Sequence, residues 1–275
     1  MRAVIWTFLT TIALFVGLLS VGQGAKAQTF NIQGVAAFDI LTGYPTANGH
    51  IVAARIRMKP GWKTYWRVAD GSGIPPRFSW DGSRNLAGVT YHWPAPSVYS
   101  INNIRTIGYE NQLILPIEVT PRQSGEPIHL KGRIDFGICE EVCLPVSARF
   151  SVPLSSTSQG TDLIKATLKK RPVQGKSAGI RNLSCRITPV EDGFRIEARL
   201  TLPKAPTRGT FAVLELAGAD TWIEEGPFTA NGGQVTAVST LYPLTDGPFI
   251  LDRSRLRITL LGGRRAIEMR GCPNG

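Results

Sequence analysis

Cys139 and Cys143, separated by Glu140-Glu141-Val142, are the residues whose type and spacing best fit a chemistry. Strand-like runs flank them, Leu130 to Ile138 before and Leu144 to Val152 after. A three-residue hairpin loop sets the two cysteines opposite each other at the strand ends, a separation compatible with a disulfide. Four cysteines allow two bridges in three pairings. Chain-entropy arithmetic separates the pair from the remaining cysteines, Cys185 and Cys272. Closing the short loop of about 5 residues is worth about 2 kcal/mol, and closing about 88 residues between Cys185 and Cys272 about 4.6 kcal/mol. The long-range pair therefore has a structural reason to exist. The short pair gives the fold little, and reversible thiol–disulfide chemistry is the natural reason for it. A bridge that merely pins a hairpin end is the competing reading. Glu140 and Glu141 place negative charge beside both sulfurs, which raises the thiol pKa and disfavours thiolate. Such a dithiol needs a partner that supplies the activated thiolate. Two soft thiolates also suit Cu(I), although no Met-rich or His-rich segment accompanies them.

Other constellations are weak. His50, His92 and His129 stand alone, without metal-ligand spacing, so neither a resident metal nor a cofactor is expected. Gly71-Ser72-Gly73 lacks the two-residue glycine spacing of a nucleophile elbow. Glu224-Glu225, like Glu140-Glu141, is an adjacent pair; on a strand, neighbours point to opposite faces, which is poor acid/base geometry. Trp62, Trp66, Trp80 and Trp93 read as packing residues.

The elements that must position the cysteines are strands. Ile51 to Met58, Leu113 to Val119, Ile128 to Ile138 and Leu144 to Val152 are apolar or β-branched and often alternate, punctuated by Pro, Gly and Asn. The pattern indicates an all-β chain of antiparallel sandwich type, because the crossover helices of a parallel fold are missing. The polar stretch Ser155 to Gly160, a short helix over Asp162 to Lys170 and a stop at Pro172 interrupt it. Strand patterning resumes after Gly175. The expected organisation is a first β domain over residues 28–154, a helix-containing linker over 155–175 and a second β-sandwich over 176–275, with few buried contacts crossing the linker.

Arg2, the uncharged and mostly apolar run Ala3 to Val21 and the Ala25-Lys26-Ala27 site mark residues 1–27 as a secretory signal cleaved before Gln28. Export to an oxidising compartment follows, the periplasm in a Gram-negative cell. The 31 Lys plus Arg and 20 Asp plus Glu give +11, and losing Arg2 and Lys26 leaves +9. Basic residues are scattered, the densest run being Lys169-Lys170-Arg171, so nucleic acid is a poor fit. No later apolar run approaches the length of a membrane span.

Pro60-Gly61-Trp62-Lys63-Thr64-Tyr65-Trp66, leading to Asp70-Gly71-Ser72-Gly73-Ile74-Pro75-Pro76, resembles the N-terminal periplasmic domain of DsbD-type thiol:disulfide interchange proteins. So do Trp93-Pro94-Ala95-Pro96, Gly108-Tyr109 before Leu113-Ile114-Leu115-Pro116, and Gly137-Ile138-Cys139 through Cys143-Leu144-Pro145. The likeness covers roughly residues 35–152 and is nearest the ScsB-like branch, linked to copper tolerance. It implies an immunoglobulin-like fold. It also implies that Cys139 and Cys143 form the redox-active pair, with Cys143 the cysteine usually engaged. The implied partners are a separate membrane electron carrier, since the transmembrane and thioredoxin-like domains are missing here, and periplasmic thioredoxin-like oxidoreductases. The cap loop of the family corresponds to Ser97 to Thr106, with Tyr99 or Ile101 as covering side chains. The three-residue spacing is shorter than in the best-known members. A non-catalytic immunoglobulin-like binding module with two structural disulfides is the alternative.

Overall fold

The computed structural model describes residues 30–32, 34–68, 73–101, 104–154, 158–244, 247 and 249–274. The expected signal over residues 1–27 lies outside them. The first group of strands runs β1 (Phe30–Ile32), β2 (Ala36–Thr46), β3 (Gly49–Met58), β4 (Lys63–Tyr65), β5 (Arg77–Ser79) and β6 (Gly88–Tyr91). It continues with β7 (Ser97–Ile101), β8 (Ile104–Glu110), β9 (Gln112–Thr120), β10 (Ile128–Cys139) and β11 (Cys143–Leu154). One sheet has the order β1-β2-β3-β9-β6; the facing sheet has the order β11-β10-β4-β8-β7, with β5 also on β10. Their pairings are antiparallel. The sandwich follows from period-two alternation. Val52, Ala54 and Ile56 of β3, Leu113, Leu115 and Ile117 of β9, and Leu130, Ile134, Phe136 and Ile138 of β10 all point into one core around Trp66. Trp93 is buried in that core as well, and Trp62 and Trp80 pack against it.

Helix α1 (Thr161–Leu168) follows, then β12 (Val173–Gln174), β13 (Arg181–Val190), β14 (Gly193–Thr201), β15 (Phe211–Leu216), β16 (Thr221–Asn231), β17 (Gln234–Pro243), β18 (Leu256–Leu261) and β19 (Ile267–Arg270). These strands form two more sheets, β12-β19-β18-β15 and β13-β14-β17-β16. The chain is thus all-β, built of β-sandwiches, the first of the immunoglobulin-like kind, with a short helix between them. Among the described residues, β12 departs from the antiparallel expectation by running parallel to β19, and the isolated bridge between Cys185 and Asn274 is parallel as well. Cys185 of β13 and Cys272, just beyond β19, are both buried and joined by a disulfide that ties the two sheets of the second sandwich.

The connection between the halves differs from the expectation of few buried contacts. Every residue of β15 is buried. Ala212, Leu214 and Leu216 face the second core, while Phe211 and Val213 join the core of the first sandwich, as do Ile223 and Leu261. A sheet covered on both faces reads as a continuous apolar run, as Phe211-Ala212-Val213-Leu214 does. Glu215 sits on the same face as Phe211 and Val213. There Arg67, one residue beyond Trp66, donates from Nε to Glu215 at 2.8 Å and from Nη2 to Glu268 at 2.6 Å. Burial pushes the Glu268 carboxyl up, but the Arg67 and Arg270 guanidiniums outweigh it and hold the group below its usual range. Arg77 pairs with Asp220, and Arg105 pairs with Glu225 while stacking over Phe211.

The linker is also docked. Ile164 of α1 is fully buried against Leu41, Ala53 and Ile114. Gly43 donates to the Gln159 carbonyl and Ala95 to the Lys170 carbonyl.

His50 of β3 is 8% exposed, with Nε2 2.6 Å from the Thr42 carbonyl. Burial lowers its pKa from 6.5, more than the Thr42 bond raises it. The folded state therefore resists a proton that the unfolded chain takes up below about pH 6.5. Stability from this group is present above that pH and is lost as pH falls through it toward the folded value. Half-buried His92 is lowered in the same sense. The melting temperature falls between about pH 7.5 and about pH 5.5, and His50→Gln flattens the slope. An equal slope in wild type and variant across that range removes His50 from the explanation.

Candidate functional site

Cys139 ends β10 and Cys143 opens β11 as its direct cross-strand partner, with Glu140 to Val142 forming the turn. The two cysteines are joined by a disulfide, Cα–Cα 4.2 Å. The sulfurs' residues differ sharply in access: Cys139 is 1% exposed, whereas Cys143 is on the surface. Strand β4 lies against the end of β10, pairing Thr64 with Ile138 and Lys63 with Cys139. Thr64 also donates its hydroxyl to the Gly137 carbonyl at 2.8 Å.

Tyr65 is the side chain this arrangement delivers. Its Oη lies 2.7 Å from Cys139 Sγ and 3.0 Å from Cys143 Sγ. Disulfide sulfurs carry no proton, so the phenol is the donor. The ring occupies a slot between two glycines. A Cβ at Gly73 would stand 2.3 Å from Tyr65 Cδ1, and one at Gly137 would stand 3.0 Å from Cε2 and 2.9 Å from the Ile74 Cβ. Gly73 therefore needs glycine because the ring passes too close for any side chain, and Gly137 because the Ile74 Cβ and the ring edge crowd it together. The Ile74 carbonyl accepts from the Gly137 amide at 2.9 Å and closes the slot.

Glu140 and Glu141 are exposed at the turn, as is Val142 at 68%. Well-solvated carboxylates act weakly on the sulfurs, because solvent screens them. Ser97 to Thr106, the stretch expected to cap the pair, largely forms the β7–β8 hairpin, with Tyr99 paired to Thr106. Tyr99 donates to the Thr64 carbonyl at 3.2 Å, and Lys63 Nζ lies 5.4 Å from the centre of its ring. It thus braces the strand that carries Tyr65. The side chain of Ile101 lies outside the described residues. Cys185 and Cys272 form the separate buried bridge of the second sandwich. Among the described residues, no group of three or more His, Cys, Asp or Glu is placed to hold a metal ion.

The sequence reading did not single out Tyr65. Its signal was a polar tip next to Trp66, inside the Pro60 to Trp66 motif.

The profile of the family described as "Thiol:disulfide interchange protein DsbD, N-terminal" matches residues 32–155, a span that contains β4, β10, β11 and both cysteines. Residues 32–155 are a DsbD N-terminal-type domain. The fold is similar to that in the crystal structure of the N-terminal periplasmic domain of ScsB from Proteus mirabilis. That likeness has a TM-score of 0.66 at 19% identity, covering 90% of this chain and 98% of that one. It extends beyond the DsbD N-terminal-type domain into the second sandwich. No curated protein matches the chain. No described helix is long and apolar enough to cross a membrane.

Proposed function

We propose that this chain is a periplasmic thiol:disulfide relay that works through Cys139 and Cys143. A bridge with one accessible and one buried cysteine, both sulfurs held by the Tyr65 hydroxyl, carries this reading. A thiolate of the electron donor attacks the accessible Cys143 sulfur. The Cys139–Cys143 bond breaks, a mixed disulfide forms at Cys143, and Cys139 leaves as a thiolate that takes up a proton. The donor's second thiol then attacks its own mixed-disulfide sulfur, releasing Cys143. The net transfer is two electrons and two protons from donor dithiol to this pair. The same steps in reverse reduce an acceptor disulfide.

The Tyr65 O–H is nearest the sulfur that leaves, where negative charge develops, and a donor aimed at developing charge lowers the barrier. The proposed donor is a separate membrane electron carrier, and the acceptors are periplasmic thioredoxin-like oxidoreductases. Cleavage before Gln28 delivers the chain to them. Residues 28–154 form the redox unit in this proposal, and Cys185–Cys272 is structural.

The reduction potential of each bridge tests the assignment. Cys139–Cys143 titrates above about −300 mV and Cys185–Cys272 below it. Both bridges below that value would favour a binding module with two structural disulfides. Alkylation of the reduced protein against pH addresses the carboxylates. Glu140→Gln with Glu141→Gln lowers the thiol pKa and speeds alkylation modestly, because both side chains are solvated. An unchanged profile would remove them from the site.

A further inference from the structure

We infer that the cleft between α1's C-terminal end and the β18–β19 turn is a binding site for a phosphate-type polyanion. The cleft has a volume of about 520 Å³ and is lined by Lys169, Lys170, Arg171, Arg264 and Arg265, with no carboxylate on its walls.

Two basic runs that lie more than ninety residues apart in the chain meet here. Their meeting is fixed by backbone. Ala95 of the first sandwich donates to the Lys170 carbonyl at 2.8 Å, and Val173 donates to the Ala266 carbonyl at 2.9 Å. Val173 then pairs with Ile267 in the parallel β12–β19 ladder. The opposite wall is pinned at Gly262, whose φ is +77° and whose Cβ position lies 2.1 Å from the Gly209 carbonyl oxygen. Any other residue there would push the Arg264-Arg265 turn away. Arg171 is further oriented by its own bonds, Nε donating to the Leu168 carbonyl and Nη1 to His92 Nδ1.

The charge is uncompensated as well as convergent. Elsewhere Arg55, Arg67, Arg77, Arg105, Arg133, Arg199 and Arg270 each have a carboxylate partner. None of the five cleft cations has one among the described residues. A cleft of one sign with low-dielectric walls concentrates its field on what enters it. Arginine forks match phosphate oxygens in pairs, and lysine adds point charge. The ligand chemistry is therefore two or more linked or adjacent phosphate groups, either free or on a lipid surface. The site is separate from the cysteine pair and does not depend on its redox role.

Titration calorimetry of the chain with tripolyphosphate at about 150 mM salt gives saturable binding. Arg264→Gln with Arg265→Gln weakens it by about tenfold or more, and Lys169→Gln with Lys170→Gln does the same. Arg149→Gln with Arg195→Gln removes equal charge from exposed positions on β11 and β14 and changes affinity less than about threefold. Cosedimentation with phosphatidylglycerol vesicles, against phosphatidylcholine, separates the sources. Vesicle binding that the cleft variants lose assigns a lipid headgroup; tripolyphosphate binding without vesicle binding assigns a free polyanion. The inference is overturned if cleft and control variants lose affinity equally, or if neither probe binds. All the substituted side chains are exposed, and thermal melts of each variant verify that the fold is retained.

Discussion

Cys143→Ser abolishes disulfide exchange, and Tyr65→Phe slows it about 10- to 100-fold while leaving the melting temperature nearly unchanged. The first result follows from the loss of the accessible sulfur. The second follows from the size of a hydrogen bond to a charged group, about 1.5–3 kcal/mol, expressed as a barrier. Phe keeps the ring that fills the Gly73–Gly137 slot and deletes only the hydroxyl 2.7 Å from Cys139 Sγ. Stopped-flow reduction by dithiothreitol and by a thioredoxin-like dithiol measures both rates. The pH profile separates chemistry from packing. An O–H donated to a thiolate favours the charged form, so its removal raises the thiol pKa of the reduced protein and moves the alkylation profile to higher pH. A Tyr65→Phe protein with wild-type rate and wild-type profile would make Tyr65 a packing residue only.

Arg67→Ala destabilises the chain by about 3–5 kcal/mol, because it removes the one guanidinium that the buried Glu215 and Glu268 carboxylates share, leaving Glu268 with Arg270 and Glu215 with Arg257 at 4.0 Å. For a chain of this size that corresponds to a fall of about 6–10 °C in melting temperature. The combined variant Arg67→Met, Glu215→Leu, Glu268→Met recovers most of the loss, since apolar groups replace a buried ion cluster at little cost. Calorimetry of the single and combined variants makes the comparison. A single variant with wild-type stability would show that the cluster is solvated. No recovery in the combined variant would show that Arg67 acts through something other than charge, such as its contact 4.1 Å from the centre of the Trp66 ring. Three consecutive side chains divide the work here: Tyr65 meets the sulfurs, Trp66 fills the core and Arg67 clamps the second sandwich.

The all-β class was legible because the β-branched and apolar runs of β3, β9 and β10, often alternating and punctuated by Pro, Gly and Asn, are a local pattern. The short-range disulfide was legible because three intervening residues between two strand-like runs leave a hairpin little choice but to bring Cys139 and Cys143 together. The motif around Tyr65 was also visible, as a family likeness, but its purpose was not. Tyr65 reaches the sulfurs only because β4 pairs with the end of β10, 74 residues later in the chain. Sequence separation of that size carries no periodic signal.

The same reason hides the interface between the sandwiches. Nothing in the sequence singles out Glu215 and Glu268; they become a buried pair only because the β12-β19-β18-β15 sheet turns one face to the first core. Lys169-Lys170-Arg171 reads as one scattered basic run among others until the Ala95 and Val173 backbone bonds bring it to one cleft with Arg264 and Arg265. The sequence by itself determined the all-β class and several of the longer strands, the Cys139–Cys143 pairing and how much charge the chain carries, since these depend on composition and on residues a few positions apart. Only the tertiary structure decided which sulfur is accessible, what donates to it and where the unpaired charge gathers. Those depend on long-range register, which packing of the whole core sets.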